Sequence, residues 1–265
     1  MELAGKTALL TGATGGLGRA IASELAGRGA GLVLSSRTVA ELESLAGSLP
    51  GGGHRYVVSD LTDAGAAGDL VSEAGDVDIL VANAGLASRG RVEDYTADQA
   101  ALAIRVNLEA PIEMARALIP AMRRRGSGHI VLISSLNAKA ATPRTAIYAA
   151  TKFGLRGFGL SLRDELWGSG IGVSVVMPGF VRDAGIFHKS GAKPPAGLGT
   201  ATPAAVGVAV AVAIERNRGE VDVAPFLQRR AASFAHHLPG IAARLSRGRA
   251  DKVAERIAGG EAADR

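Results

Sequence analysis

The sequence predicts an α/β chain, a doubly wound parallel sheet of about seven strands with helices on both faces and a helical C-terminal extension. Three observations carry that reading. Short apolar runs alternate with helix-length amphipathic segments through most of the chain, the pattern of buried strands joined by helices. A glycine-rich turn, TGATGGLG at 11–18, stands between the first apolar run and the first helical segment. The polar residues of chemical interest fall at or just after the ends of apolar runs, where open α/β sheets bind ligands.

Size and composition set the bounds. A chain of 265 residues and 26.9 kDa suits one domain with a sizeable core, here 1–225, leaving 226–265 as a basic amphipathic extension. The absence of cysteine excludes disulfides, thiol redox chemistry and Cys-ligated zinc. The start, MELAGKTALL, carries an acid at position 2 and runs straight into a strand, unlike a signal peptide. The longest apolar run, Ala204–Ile214, is far short of the ~20 residues of a membrane span, so a cytoplasmic location is expected. The formal charge is +5, but positions 1–225 hold 22 basic and 21 acidic residues, so the basic character belongs to the tail.

The elements follow in order. Lys6–Thr11 reads as the first strand, and Ile21, Leu25 and Ala26 mark one side of the helix after the turn. A glycine turn between strand and helix presents backbone N–H groups and a helix N-terminus to a pyrophosphate, here with Gly12, Gly16 and Gly18 as its spacing. No Gly-Lys-Ser/Thr follows, which rules out a Walker-type loop. Gly31–Ser35 is the second strand. In dinucleotide sites an acid near its end grips the ribose 2′-hydroxyl; Ser36-Arg37 stands there instead, and an arginine that forks onto a 2′-phosphate predicts NADP(H) over NAD(H).

Thr38–Leu49 is helical and His54–Ser59 a third strand, ending in Asp60-Leu61-Thr62. Asp60 is either an acceptor for the adenine amino group or a simple turn aspartate, and Thr62 is placed to cap the next helix. Val77–Ala82 is the fourth strand, ending in Asn83-Ala84-Gly85, small enough for a cofactor to approach the backbone. A long helical stretch runs from Thr96 to Arg125 with Asn107 amid apolar neighbours. A buried amide needs partners, and Asn107 either holds a water near Lys152 or is a satisfied core amide. Gly128–Ser134 is the fifth strand, Ile147–Trp167 a helix, and Gly172–Met177 the sixth strand, ending at Pro178-Gly179. Ala204–Ile214 is a helix and Glu220–Val223 the last strand.

The stretch SLNAKAATPRTAIYAATK, residues 135–152, concentrates the chemistry. On a helix Tyr148 and Lys152 share a face with Cβ atoms ~5–6 Å apart. A free phenol titrates near ~10, too high for proton transfer at neutral pH. A cation ~4 Å away, at an effective dielectric of about 20, favours the phenolate by on the order of 4 kcal/mol. That brings the phenol toward the range where general acid–base catalysis works best. Ser135, at the end of the fifth strand, puts a hydroxyl within reach of the same volume.

TGATGGLG, ANAG at 82–85, Asn107, Ser135, YAATK at 148–152 and PG at 178–179, in that order and at these spacings, resemble the short-chain dehydrogenase/reductase family in its single-domain form over residues 5–225. The resemblance implies a Rossmann-type fold and an NAD(P)-dependent oxidoreductase, NADP(H)-preferring by Arg37, acting on a carbonyl or secondary alcohol through a tetrad of Asn107, Ser135, Tyr148 and Lys152. It implies cofactor contacts from Gly12, Thr14, Gly15, Gly16, Leu17 and Gly18 in the first turn, Ser36 and Arg37 after the second strand, and Asp60 and Leu61 after the third. Asn83, Ala84 and Gly85 add to these, with Tyr148, Lys152, Pro178, Gly179 and Val181. No metal is implied, and the assembly is a homodimer or homotetramer packed through the helices of Asn107 and Tyr148. At one place the sequence departs from the family, with Asp183 where a threonine is usual.

Ala184–Gly199 stands at the family's usual substrate-loop position, and its Ile186, Phe187 and Leu198 point to an apolar substrate. Leu227, Ala231, Phe234 and Leu238 recur at helical spacing in the extension, with Ile241, Leu245, Val253 and Ile257 beyond and arginines between. Three readings stand: packing on its own or a neighbouring subunit, peripheral contact with an anionic membrane surface, or a frayed tail. Nucleic-acid binding is not expected, since no basic stripe is interleaved with aromatics, and the His236-His237 pair lacks further metal ligands. The other function class is a non-enzymatic NADP-binding protein that uses the extension for partner or membrane contacts. A serine hydrolase is disfavoured, because Ser135 lacks a G-x-S-x-G turn.

Overall fold

A computed structural model describes residues 1–183 and 197–246. Seven parallel strands form one sheet: β1 (Thr7–Thr11), β2 (Gly31–Ser36), β3 (Arg55–Val58), β4 (Ile79–Ala82), β5 (Gly128–Ile133), β6 (Ile171–Pro178) and β7 (Glu220–Val223), in spatial order β3-β2-β1-β4-β5-β6-β7. This is the doubly wound arrangement that the alternating pattern predicts. Parallel strands need long crossovers, and helices supply them. These are α1 (Gly16–Gly27), α2 (Val39–Ser48), α3 (Ala66–Ala74), α4 (Ala97–Ile104), α5 (Ala110–Arg125), α6 (Ala146–Glu165) and α7 (Pro203–Glu215). After β7 come α8 (Phe226–His237) and α9 (Pro239–Ser246).

Successive strand residues point to opposite faces, so each strand feeds two cores. Leu9, Leu80 and Leu132 pack with Met114, Leu118 and Leu155 on one face; Leu10, Val81 and Val131 pack with Ile21, Leu25 and Val210 on the other.

The helix expected from Thr96 to Arg125 is interrupted. A π-turn at Arg105–Glu109 separates α4 from α5, and Asn107 lies within it. Pro111 gives the physical reason. It has no N–H to offer the carbonyl of residue 107, and its ring crowds that carbonyl. Thr62 is a second correction: α3 begins at Ala66 after Gly65, and Thr62 caps nothing there but donates its own N–H to Asp60 Oδ1 at 3.0 Å.

The extension is a third. The face of Leu227, Ala231, Phe234 and Leu238 is exposed, whereas Gln228 and Ala232 turn inward, Ala232 joining the core. The expectations placed on Ile186, Phe187, Val253 and Ile257 lie outside the described residues. Among the described residues no helix is long and apolar enough to cross a membrane.

Candidate active site

β1 and β4 are neighbours whose following helices, α1 and α5, cover opposite faces of the sheet, so a crevice opens between their C-terminal ends. Thr11 and Asn83 fasten its two lips together. Thr11 Oγ1 accepts from the N–H groups of Asn83 and Ala84 at 3.1 and 3.0 Å, while Asn83 Nδ2 donates to the carbonyls of Thr11 and Gly12 at 3.0 and 3.1 Å. The Asn83 side chain is therefore occupied in holding the crevice, a role that the family resemblance did not specify.

Gly12 has φ +61°, and a Cβ there would lie 2.9 Å from Ala84 Cα; one on Gly18 would strike the Gly12 carbonyl. Gly15 caps α1 with no side-chain bond, and Gly15 and Gly16 are exposed, with Thr14 and Leu17 half-buried beside them. The N–H groups of this first turn lack intrahelical acceptors, as at every helix start, and such a start suits an anion.

At the end of β2, Ser36 Oγ is buried without a hydrogen-bond partner among the described residues. Arg37 beside it is exposed and makes no ion pair there. Burial would raise the Asp60 carboxyl, but hydrogen bonds from Thr62 and the nearby Arg37 charge hold it below the usual range. Leu61 is buried in the core.

The second half of the site sits where β5 meets α6. Lys152 is only 5% exposed; its ammonium donates to the Ile133 carbonyl at 2.9 Å and lies 5.7 Å from the centroid of the Tyr148 ring. Burial lowers the ammonium to about 8. Ser134 Oγ donates to the Lys152 carbonyl at 3.0 Å and Thr151 Oγ1 to that of Tyr148 at 2.8 Å, so strand end and helix are clamped at the reactive turn. Ser135 Oγ accepts from Asn137 N–H at 3.1 Å, which leaves the hydroxyl proton available to another acceptor. Four residues on, Lys139 is bound to both oxygens of Asp222 on β7 at 2.8 and 3.0 Å. Arg156 of α6 pairs with Glu220 beside it, so the Ser135 loop is anchored by charge.

Asn107 is wholly buried. Its Oδ1 accepts from Leu86 N–H at 2.7 Å and its Nδ2 donates to the Leu86 carbonyl at 2.9 Å, so the side chain is a satisfied amide. Each polar atom of the amide thus has a backbone partner, while one Nδ2 hydrogen and one Oδ1 lone pair remain uncommitted. A Cβ on Gly85 would lie 3.1 Å from Asn107 Oδ1 and 3.9 Å from Lys152 Nζ, which explains a glycine there.

Pro178 ends β6, and Val181 is buried and bridges Ala201. Asp183 has φ +63° and sits exposed, 3.6 Å from Arg182. Gln228 of α8, 5% exposed, holds this turn. Its Oε1 accepts from Phe180 N–H at 3.2 Å, and its Nε2 donates to the carbonyls of Leu198 and Gly199 at 3.1 and 2.6 Å. A side chain on Gly179 would collide with Gln228 Oε1. Thr11, Ser134 and Gln228 are absent from the residues that sequence reasoning singles out, although each holds part of the site.

Comparison with known proteins agrees with this geometry. The sequence profile of a family described as short chain dehydrogenase matches residues 6–194. Ketoacyl reductase HetN of Nostoc sp. is 36% identical over 83% of this chain and 79% of its own length. Dehydrogenase/reductase SDR family member 7B of Mus musculus is 39% identical over 65% of this chain, which spans 57% of that relative's length. A solved short-chain dehydrogenase from Sphingobium yanoikuyae, in complex with NADPH, superposes with a TM-score of 0.76 at 28% identity, covering 89% of this chain and 94% of that one.

Proposed function

This chain belongs to the short-chain dehydrogenase/reductase family, and on that footing we propose that it is an NADP(H)-dependent reductase or dehydrogenase of an apolar carbonyl or secondary alcohol. The observation that carries the reading is the buried Lys152 ammonium set against the Tyr148 ring at the end of the β1/β4 crevice. The orphaned Ser36 hydroxyl and the exposed Arg37 fit a 2′-phosphate, and the NADPH complex of the Sphingobium relative supports the same cofactor.

When bound, the nicotinamide supplies or accepts the hydride. In the reductive direction the Ser135 hydroxyl keeps its proton and donates a hydrogen bond to the substrate oxygen, steadying the developing alkoxide. Tyr148 gives that oxygen its proton, and Lys152, an ammonium below pH ~8, favours the phenolate left behind. The water that reprotonates this chain of groups is assigned to the main-chain carbonyl of Asn107, which Pro111 strips of its α-helical donor. Pro178, Gly179 and Val181 shape the nicotinamide end, held by Gln228.

The test is an NADPH-oxidation screen across ketones, quinones, steroids and acyl carbonyls. Tyr148→Phe should lower turnover at least about 10²-fold while leaving NADPH binding in place. Retained turnover would reject the assignment. Two assemblies are proposed with it: a homo-oligomer packed through α5 and α6, and peripheral attachment to an anionic surface through α8 and α9. The second is supported by six exposed apolar residues on those helices, Phe226, Leu227, Phe234, Leu238, Ile241 and Leu245, alongside Arg229, Arg230 and Arg244 with no acid between 226 and 246.

A further inference from the structure

The loop from Leu86 to Gly90 spans the front of the site. At one end Asn107 grips both backbone groups of Leu86, beside Lys152. At the other, Gly90 N–H donates to the Arg144 carbonyl at 2.9 Å, one helical turn before Tyr148. Ser88 is buried within it, and Arg89 follows. Three residues of chain reach at most ~11 Å, so the Arg89 backbone lies within that distance of Leu86, on the loop that ties Asn107 to the segment just before α6.

Two nitrogens of Arg89, Nε and Nη1, are buried with no hydrogen-bond partner among the described residues. None of the ion pairs among those residues involves Arg89, and the stretch 184–196 contains neither Asp nor Glu. A buried lysine relieves such a position by losing its proton, as burial already inclines Lys152 to do. A guanidinium keeps its charge at any working pH, so this position calls for an acceptor that none of the described residues supplies. The cofactor contacts proposed above extend along this loop only as far as Gly85, and none of them is assigned to Arg89.

We infer that Arg89 receives an oxyanion, carboxylate or phosphate, carried by the substrate at a distance from its reacting carbonyl. The inference rests on the reductase reading above for the identity of the ligand as substrate, and it narrows the class to a ketone or alcohol with an apolar body and an anionic end. Binding is then sorted by that end: a neutral analogue leaves the buried guanidinium unsatisfied, and discrimination of this kind exceeds what apolar contacts supply.

The experiment measures binding by calorimetry to the full chain saturated with NADP⁺, where a ketone binds without reacting. The probes are oxo-carboxylates of graded chain length, the matching oxo-alkyl phosphates, and the methyl esters of the acids. An anionic probe should bind at least about tenfold more tightly than its neutral partner, a difference of ~1.4 kcal/mol. Arg89→Met should bring that ratio to about one, and Arg89→Lys, which keeps the charge but not the fork, should restore part of it. The carboxylate and phosphate arms separate the two oxyanions. Equal affinity for charged and neutral probes, no binding by any of them, or an Arg89→Met variant that loses both alike overturns the inference and leaves the guanidinium a role in folding or subunit contact. If no ketone or alcohol is turned over yet the anion preference depends on Arg89, the reductase reading fails and the oxyanion site stands.

Discussion

Gln228→Leu removes one side chain outside the family-matched residues 6–194 and disturbs the turn where the nicotinamide end is proposed to lie. The amide makes three hydrogen bonds, to Phe180 N–H and to the carbonyls of Leu198 and Gly199. At about 1 kcal/mol each their loss comes to ~3 kcal/mol, more where the stranded backbone groups stay away from water. If half of that reaches the transition state, kcat/KM falls by on the order of tenfold. Gln228→Glu separates positioning from packing. It keeps the shape and the acceptor for Phe180, but its carboxylate faces two carbonyls that need a donor. Burial and those carbonyls raise the new carboxyl above the usual ~4.3, and its protonated form regains one donor. Activity of Gln228→Glu, normalised to the unmodified chain, should therefore rise as pH is lowered from about 8 to about 5, and Gln228→Leu should show no such rise. Steady-state kinetics with NADPH and ketone varied separately, together with a denaturant midpoint at each pH, provide the readout. A Gln228→Leu variant with unaltered KM and kcat, or a Gln228→Glu variant that tracks the leucine variant at every pH, refutes the reasoning.

Three further outcomes are expected. NADPH should bind more tightly than NADH, and Arg37→Ala should narrow that gap by about 10- to 100-fold, the ~1.5–3 kcal/mol of a charge-assisted pair; equal affinities in the unmodified chain would dispose of the 2′-phosphate assignment. Burial lowers His129, bonded to Ser174 Oγ at 2.8 Å, to about 3. Between its unfolded value of ~6.5 and that folded value only the unfolded chain takes up the proton, so stability should fall with pH by ~1.4 kcal/mol per pH unit, and the slope should shrink by that amount in His129→Asn; identical slopes would count against it. Vesicles containing anionic lipid should retain the full chain in a salt-sensitive way, and Leu227→Glu with Leu245→Glu, at sites 52% and 70% exposed, should release it; a chain that ignores such vesicles ends the surface-attachment reading. Truncation after Pro225 is the poorer test, because it also removes Gln228.

The sheet was legible because its central strands, buried on both faces, are written as apolar runs, and Ile79–Ala82 or Ile130–Ile133 admit few other readings. The site was legible where chemistry needs a particular residue at a strand end. What escaped depends on contacts distant in sequence. Ser134 and Ser135 are identical and adjacent, yet one hydroxyl is buried against the Lys152 carbonyl and the other keeps its proton. Both follow the last residue of β5, and only the packing of α6 against that end says which hydroxyl meets the Lys152 carbonyl. The π-turn is half written in Pro111, whose missing N–H is a matter of sequence, whereas the widened turn around Asn107 is a matter of packing.

The extension shows why periodicity alone misleads. Helical spacing in Leu227, Ala231, Phe234 and Leu238 establishes that a coherent apolar face exists, not that the same chain covers it. α8 is oriented instead by a polar residue, since a buried amide with three backbone partners fixes rotation about the helix axis more strictly than one more aliphatic contact does. Once Gln228 faces the Phe180 turn and Ala232 the core, geometry sets the apolar residues on the remaining arc outward. The clasp at the Phe180 turn and the open apolar face are thus consequences of one helical rotation. Any partner that covers that face bears on the same helix that holds the turn.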